Sequence, residues 1–582
     1  MDAHFCRLCP VLKQNGLATS LILVGTTYFG YKFISYLRRR SRLRSAVQAR
    51  KDEQQLNFQK ITKFYKELSE EKAAEILSWS YDELKEKLAD GTLSCVNVLR
   101  AYQRKAMEVT LKTNCICLFI EEAIAIAEDM DRKAKNPKWE RPALFGVPVS
   151  VKECVAVKGM DLTLGYVQDL FKPSADHSAM VKSLLHLGAV PFVHTNNPLS
   201  LLTWGCTNAI YGETTHPMDS KRVPGGSSGG ESALISSGGS LLGIGSDIGG
   251  SIRIPASFCG LAGFKPSVQR LSHINSPGGI PGRCKIIANE GPMSKDVNIC
   301  ADLCRLVWSD SFLFDLDPYV PPVYWNENLM SSTEPLTIGY YKHDGFFTPA
   351  PAYVRAVEES IAILSKRGHK VVEFTVPRIN DTFRLLLASV AADGGYFLAD
   401  KLAKDIVPAH VDYGFVGRSM SPFFQKLLKP LIPWPRLRNL LGIMPSNMNE
   451  MRQVNADIDT YRRDFLKQMK TQSIDVLVCP PMIMYPPPPH VPVAIPPATS
   501  YTSLYNILDY PAGVVPVTVV SSEDDSKLKD YPEADPYDRL VKQYCKDSIG
   551  FPIAVQVVSL PYREEVALRV LKEIQDSVNF SK

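Results

Sequence analysis

The sequence predicts an α/β fold: one large domain in which helices cover both faces of a central sheet. Three observations predict it. From about residue 140, short apolar runs of strand length alternate with helix-period segments for several hundred residues. No linker rich in Pro, Gly or Ser divides that region, and no internal repeat or low-complexity tract interrupts it. The composition, 45% hydrophobic and 22% charged, is that of a globular chain able to bury a large core.

The N-terminal residues stand apart from this domain. After a short tail (1–16), LATSLILVGTTYFGYKFISYL (17–37) carries a single charge, Lys32. A bilayer core takes roughly 20 apolar residues, and Lys32 lies near one end, where its stem can reach the head groups. RRRSRLR (38–44) follows at once as a stop-transfer signal. The stretch is therefore expected to be a transmembrane helix, with everything after residue 38 on the cytosolic side. A cleaved signal peptide would need a small-residue cleavage site before the arginines, and none precedes them. Residues 38–74 read as a basic, charged helical connector, and 75–582 as the main domain.

Other totals narrow the function. Thirteen cysteines, odd in number and irregular in spacing, fit the reduced thiols of the cytosol. Cys6 and Cys9 form a lone CxxC without the second pair that a zinc site needs. A net charge of +5 on 582 residues argues against a nucleic-acid binder. The sequons at Asn380 and Asn579 are of chance frequency and would go unused in the cytosol.

The elements follow in order. Residues 45–88 are charged and helix-favouring; Ser80-Tyr-Asp-Glu83 is a capping box and Asp90-Gly91 a stop. ALFGVPVSVK (143–152) reads as a strand. AMVKSLLHLGAVPFVHTN (179–196) reads as a helix ending at Gly188 and then a strand, and AVEESIAILSKRGHKVVEF (356–374) repeats that grammar. SIDVLVCP (473–480) is a further buried strand. Two segments depart from the pattern. The stretch 413–447 is rich in Phe, Leu, Ile and Trp and carries Arg418, Lys426, Lys429, Arg436 and Arg438 with no acidic residue. Five unpaired cations suit a helix pair touching anionic lipid through Phe423, Phe424, Leu427, Leu431 and Trp434 better than a core, which is the alternative. YPPPPHVPVAIPP (485–497) reads as a rigid loop or as a polyproline ligand for a partner domain.

Chemistry concentrates in two small-residue stretches. GSDIGGSIRIPA (245–256) is framed by the apolar runs SLLGI (240–244) and IPASFCGLAGF (254–264). A flexible linker would not be framed so; small residues in a buried frame imply backbone that approaches something closely. PGGSSGGES (224–232) fits G-x-S-x-G on both Ser227 and Ser228, the pattern of a nucleophile elbow. That reading needs a later histidine, and His273, His343, His369, His410 and His490 all sit in loop-like or surface-like contexts. No Lys-Ser or Lys-Thr follows the glycines as a phosphate loop requires, and GIGSDI (243–248) lacks the third glycine of a dinucleotide fingerprint.

Taken together, Lys152 at the end of VPVSVKE, Ser227 and Ser228 in PGGSSGG, and Ser251 in SDIGGS resemble the amidase signature family of serine hydrolases. The likeness runs from roughly residue 75 to the C-terminus, through GFKPS (263–267), GPMSKD (291–296), YNILDYPAGVVPV (505–517) and GFPIAVQVV (550–558). With the N-terminal apolar segment and the basic apolar stretch, it is most similar to the vertebrate branch that acts on fatty-acid amides. The resemblance implies a central mixed, twisted sheet covered by helices on both faces, and no cofactor or metal. It implies a Ser-Ser-Lys triad, with Ser251 the nucleophile, Ser227 the bridging serine and Lys152 the base. Residues 75–582 would be the catalytic domain, with 413–447 a membrane-contacting insertion. The substrates would be primary fatty amides and N-acylethanolamines, and the protein a homodimer on an endomembrane such as the endoplasmic reticulum.

The chemistry is coherent. A serine hydroxyl is a poor nucleophile until a positioned base takes its proton. Lysine, with an ordinary pKa of about 10.4, serves only when neutral; burial disfavours its charged form, and a lysine ending the apolar strand VSVK would be dry. The N–H groups of Ile248, Gly249, Gly250 and Ser251 are expected to converge on one oxygen as an oxyanion hole, with Ser228 beside it. Asp247 and Arg253 would brace the loop. From the resemblance, Leu202 in LSLLTWG (199–205) and Ala391 in LLLASVAADGG (385–395) would line the acyl channel, where the branch carries bulkier phenylalanines. Two other readings stay open: a His-dependent lipid esterase using Ser227 or Ser228, and a catalytically silent membrane scaffold with a blocked channel.

Overall fold

The computed structural model describes residues 16–276, 278–282, 285–408, 427–578 and 580. Its strands are β1 (Ile116–Phe119), β2 (Pro148–Lys152), β3 (Val190–Thr195), β4 (Thr207–Asn208), β5 (Gly212–Glu213), β6 (Leu242–Asp247) and β7 (Ala262–Lys265). They continue with β8 (Asn289–Ser294), β9 (Thr337–Tyr340), β10 (Lys370–Glu373), β11 (Val476–Cys479), β12 (Ala512–Val519) and β13 (Pro552–Ser559). Eleven of them form one sheet in the order β1-β3-β2-β6-β8-β7-β12-β13-β11-β9-β10, while β4 and β5 pair separately. The sheet is mixed: β2 runs parallel to β3 and β6, and β9 parallel to β10 and β11, while the strands between are antiparallel. Strands β2, β3, β6, β8 and β13 are buried at every position. Since successive side chains point to opposite faces, both faces of the sheet are covered.

Most expected elements form where the local chemistry demands. The box at Ser80 closes reciprocally with Glu83, and Gly91 caps that helix in the left-handed region. Ser178 caps the helix Ala179–His186 ahead of β3. The strand expected over 143–152 begins only at Pro148, because Phe145 and Val147 donate into tight turns, to Pro142 and Leu144. The proline-rich stretch is a loop only in its first part, where Tyr485, Pro486 and Pro487 are buried; Val491–Ala494 is a short helix and Pro496–Thr499 a 3-10 turn.

The expected transmembrane stretch over 17–37 falls within a longer helix. Residues Gly16–Tyr65 form one continuous helix, α1, and no helix among the described residues is long and apolar enough to cross a membrane. Gly25, Thr26, Thr27, Gly30 and Lys32 dilute the apolar run. The membrane-contacting stretch is corrected in part. Arg436 is not an unpaired cation, since it bridges Asp535 and Asp538, both at 2.6 Å. Leu427 and Leu431 are exposed and Trp434 is half-buried. Phe423 and Phe424, with Arg418, Lys426 and His410, lie outside the described residues, as do Cys6, Cys9 and Asn579.

The C-terminal half of α1 has a definite task. An edge strand exposes unpaired N–H and C=O groups, and α1 covers those of β1. Gln54 donates to the carbonyls of Ile116 and Cys117, while Asn57 both donates to Phe119 O at 3.1 Å and accepts from Phe119 N at 2.9 Å. A buried ion pair, Arg50 to Asp161 at 2.6 Å, ties the same helix to the loop after β2. Asn57→Ala strands both Phe119 groups, and we expect it to lower stability by about 1–3 kcal/mol, measured as a fall in urea midpoint at unchanged slope.

Candidate active site

Parallel strands present ligand crevices at their carboxyl ends, and Lys152 is the last residue of β2. The register of β2 on β6 pairs Val149 with Leu242 and Val151 with Ile244, so Ser246 stands just beyond, next to Lys152. Lys152 Nζ lies 2.7 Å from Ser227 Oγ and 2.9 Å from Ser246 Oγ. Ser246 Oγ is in turn 3.3 Å from Cys154 Sγ. The lysine is wholly buried. Desolvation drives its pKa down from the ordinary lysine value, against the opposing pull of Cys154, Cys206, Asp247 and Glu231. Glu231, also buried, accepts from Ser150 at 2.6 Å and Thr195 at 2.7 Å, and burial pushes its pKa up to about 7.

Ser227 is held by backbone that admits no side chain. A Cβ on Gly226 would stand 2.0 Å from the Gly205 carbonyl oxygen. Ser228 ties the pieces together: its N–H donates to Ser251 O at 3.1 Å, and its Oγ accepts from Ser246 N at 3.3 Å. The place that a histidine base would need against Ser227 Oγ is occupied by Lys152 Nζ.

The Ser251 loop hangs on Asp247 and Arg253, both wholly buried. Arg253 donates to Asp247 Oδ1 at 2.8 Å and Oδ2 at 3.0 Å, and also to Thr502 O, Gln556 Oε1 and Asn506 Oδ1 at 2.7–2.8 Å. Burial would raise the Asp247 pKa, but the Arg253 charge and hydrogen bonds from Arg253 and Asn506 overcome it and hold the carboxylate far below its ordinary range. One sequence expectation is corrected here. The Gly250 N–H does not face a common oxygen with its neighbours, because it donates to Asp247 Oδ1 at 2.8 Å. Three of the four expected donors are left to a substrate: Ile248, Gly249 and Ser251. Gly250 has φ +125°, and a Cβ there would fall 2.2 Å from Thr502 Oγ1. Thr502 also donates to the Gly249 carbonyl at 2.7 Å.

Two cavities meet at Ser251. One, of about 110 Å³, is apolar, lined by Leu202, Trp204, Ile254, Phe383, Leu386 and Ala391 among others, and reaches Ile248, Gly249 and Ser251. It brings together both residues expected in an acyl channel. The other, of about 30 Å³, is the more polar of the two in its side chains, with Ser227, Ser246, Ser251, His273 and Glu290 beside Leu201, Leu202 and Ile248. Sequence reasoning missed Ser246, Glu231, Thr502, Asn506 and Gln556. Ser246 lies inside the motif and is marked only by strand register; the last three reach the loop from two to three hundred residues away and carry no local signal. Arg253→Met leaves Asp247 charged and unpaired in the core, and we expect it to cost about 3–5 kcal/mol, read as a lowered denaturant midpoint.

The amidase family profile matches residues 97–568. The chain is 42% identical to fatty acid amide hydrolase 1 of Caenorhabditis elegans over 564 residues, which is 96% of this chain and 98% of the relative. It is 37% identical to fatty-acid amide hydrolase 1 of Sus scrofa over 509 residues, 86% of each. Among solved structures, a fatty acid amide hydrolase superposes with a TM-score of 0.76 at 24% identity, covering 93% of this chain and 94% of the other. A match over most of the chain, on a mixed sheet of this topology, means that the chain belongs to the amidase signature family.

Proposed function

We propose that this protein hydrolyses fatty-acid amides to a free fatty acid and an amine, through an acyl-enzyme on Ser251. One observation carries the reading: a lysine amine without access to water lies 2.7 Å from Ser227 Oγ, beside an apolar cavity that ends at Ser251. The names of the worm and pig relatives support the same substrate class.

In this reading Ser251 Oγ attacks the amide carbonyl carbon while its proton passes to Ser227, whose own proton passes to neutral Lys152. The carbonyl oxygen gathers charge toward the N–H groups of Ile248, Gly249 and Ser251. A single such donor is typically worth ~10²–10³ in rate. Collapse breaks the C–N bond, and the departing nitrogen takes a proton from Ser227, which Lys152 replenishes. Water then enters by the same relay and releases the fatty acid. Asp247 and Arg253 keep the donor loop in place.

Association with a membrane surface belongs to the reading. Helix α1 leaves Leu23, Val24, Tyr28, Phe29, Phe33 and Ile34 half or more exposed, directly before RRRSRLR. Apolar side chains beside a cluster of cations suit an anionic lipid interface, and the exposed Leu427 and Leu431 add a second apolar pair.

Two measurements test the chemistry. Ser251→Ala is expected to abolish labelling by a fluorophosphonate probe, while Ser227→Ala slows it; labelling lost only in Ser227→Ala would reverse the two roles. For oleamide, kcat/KM is expected to rise with pH as Lys152 loses its proton, and to level off below the ordinary lysine value because burial lowers that pKa. Lys152→Ala should cut the rate by ~10²–10⁴ at neutral pH, the usual worth of a general base, and by less near pH 10. A uniform loss between about pH 6 and 10, on either side of the base's expected titration, would contradict the role.

A further inference from the structure

The polar cavity contains a carboxyl group that the relay does not use. Glu290 stands on β8 directly across from Ser246 on β6. Cross-strand partners share a face of the sheet, with Cβ atoms ~4.5–5.5 Å apart. Ser246 Oγ is itself 2.9 Å from Lys152 Nζ, so Glu290 is one side chain removed from the base. Both Glu290 and Ser251 line the cavity, and its described lining residues include no lysine or arginine.

Glu290 is 6% exposed, and its two oxygens are treated differently. Oε1 accepts from the Ser276 hydroxyl. Oε2 is buried with no hydrogen-bond partner among the described residues. Burial pushes the pKa up to about 7 against the effect of Ser276. A buried carboxyl oxygen without a donor is costly, and in a site that lacks one donor the missing group is the ligand's to bring.

The two cavities divide a bound amide. With the acyl chain in the apolar cavity and the carbonyl at Ser251, the nitrogen substituent points into the polar one. We infer that Glu290 reads the amine half of the substrate, selecting amides whose nitrogen substituent ends in a hydrogen-bond donor, a hydroxyl or an ammonium, over those ending in an ether or alkyl group. This rests on the amide-hydrolase reading above and adds the class of amine to it. Glu290 acts on specificity; it takes no proton in the relay.

The test is a substrate series on one oleoyl chain: the N-(2-hydroxyethyl), N-(2-aminoethyl), N-(2-methoxyethyl), N-propyl and primary amides, each assayed for kcat/KM with wild type, Glu290→Gln and Glu290→Leu. Wild type is expected to favour hydroxyethyl or aminoethyl over methoxyethyl by about ten- to a hundredfold, the range for a hydrogen bond to a charged group. Glu290→Leu should bring that ratio to about one. Glu290→Gln, which keeps a carbonyl acceptor, should retain part of the hydroxyethyl preference and lose the aminoethyl preference. Ratios within one variant cancel any loss of folded protein, and if Glu290→Leu does not fold, the aminoethyl-to-hydroxyethyl ratio of Glu290→Gln decides. A stronger aminoethyl substrate assigns the donor to cationic amines, and a stronger hydroxyethyl substrate assigns it to amino alcohols. Wild type that discriminates nothing, or a ratio unmoved by Glu290→Leu, overturns the inference while primary-amide turnover leaves the hydrolase reading intact. Wild type that cleaves none of the five overturns both.

Discussion

A lysine amine kept out of water is the constraint on which this site depends. An ammonium at the buried end of β2 carries a desolvation penalty that lowers the lysine pKa, and among the described residues no carboxylate forms an ion pair with it. The groups within reach of Lys152 Nζ are the hydroxyls of Ser227 and Ser246, which can donate or accept, and more distantly the Ser246 carbonyl at 3.4 Å. Glu231 feels the same dry surroundings with the opposite sign, its pKa raised where that of the lysine is lowered. Titratable groups pushed apart in this way mark places where protons are handled.

The neighbouring Asp247 and Arg253 are buried as deeply yet remain charged. Arginine cannot shed its proton, so the loop must satisfy it completely, and it does so with the aspartate and with acceptors from Thr502, Asn506 and Gln556. The expense has a structural return. Asp247 takes the Gly250 and Ile252 N–H groups, which sets the turn beside Ser251. In the proposed reaction the amides of Ile248, Gly249 and Ser251 would act as fixed dipoles, which need no reorganisation when charge develops.

Ser251 sits where two cavities meet. Leu202 and Ala391 line the apolar one. The other holds the hydroxyls of Ser227, Ser246 and Ser276 with Cys154, His273, Asn289 and Glu290. The N-terminal helix joins this body by capping the edge of β1, so its role in the fold is separate from whatever its exposed apolar end touches.

Local patterns in the chain determined a good deal: the alternation of strands and helices, the caps at Ser80 and Ser178, and the glycine-framed serines, because each rests on neighbouring residues alone. Lys152, Ser227 and Ser251 were legible as a set only through family likeness. One local reading went astray for want of a partner: Arg436 read as unpaired although its carboxylates lie about a hundred residues away. Only the tertiary structure decided that Ser246 flanks the lysine, that Gly250 donates to Asp247, and that Glu290 shares a cavity with Ser251. Those facts depend on the register between strands remote in the chain, and register is a property of pairing, which no single segment contains.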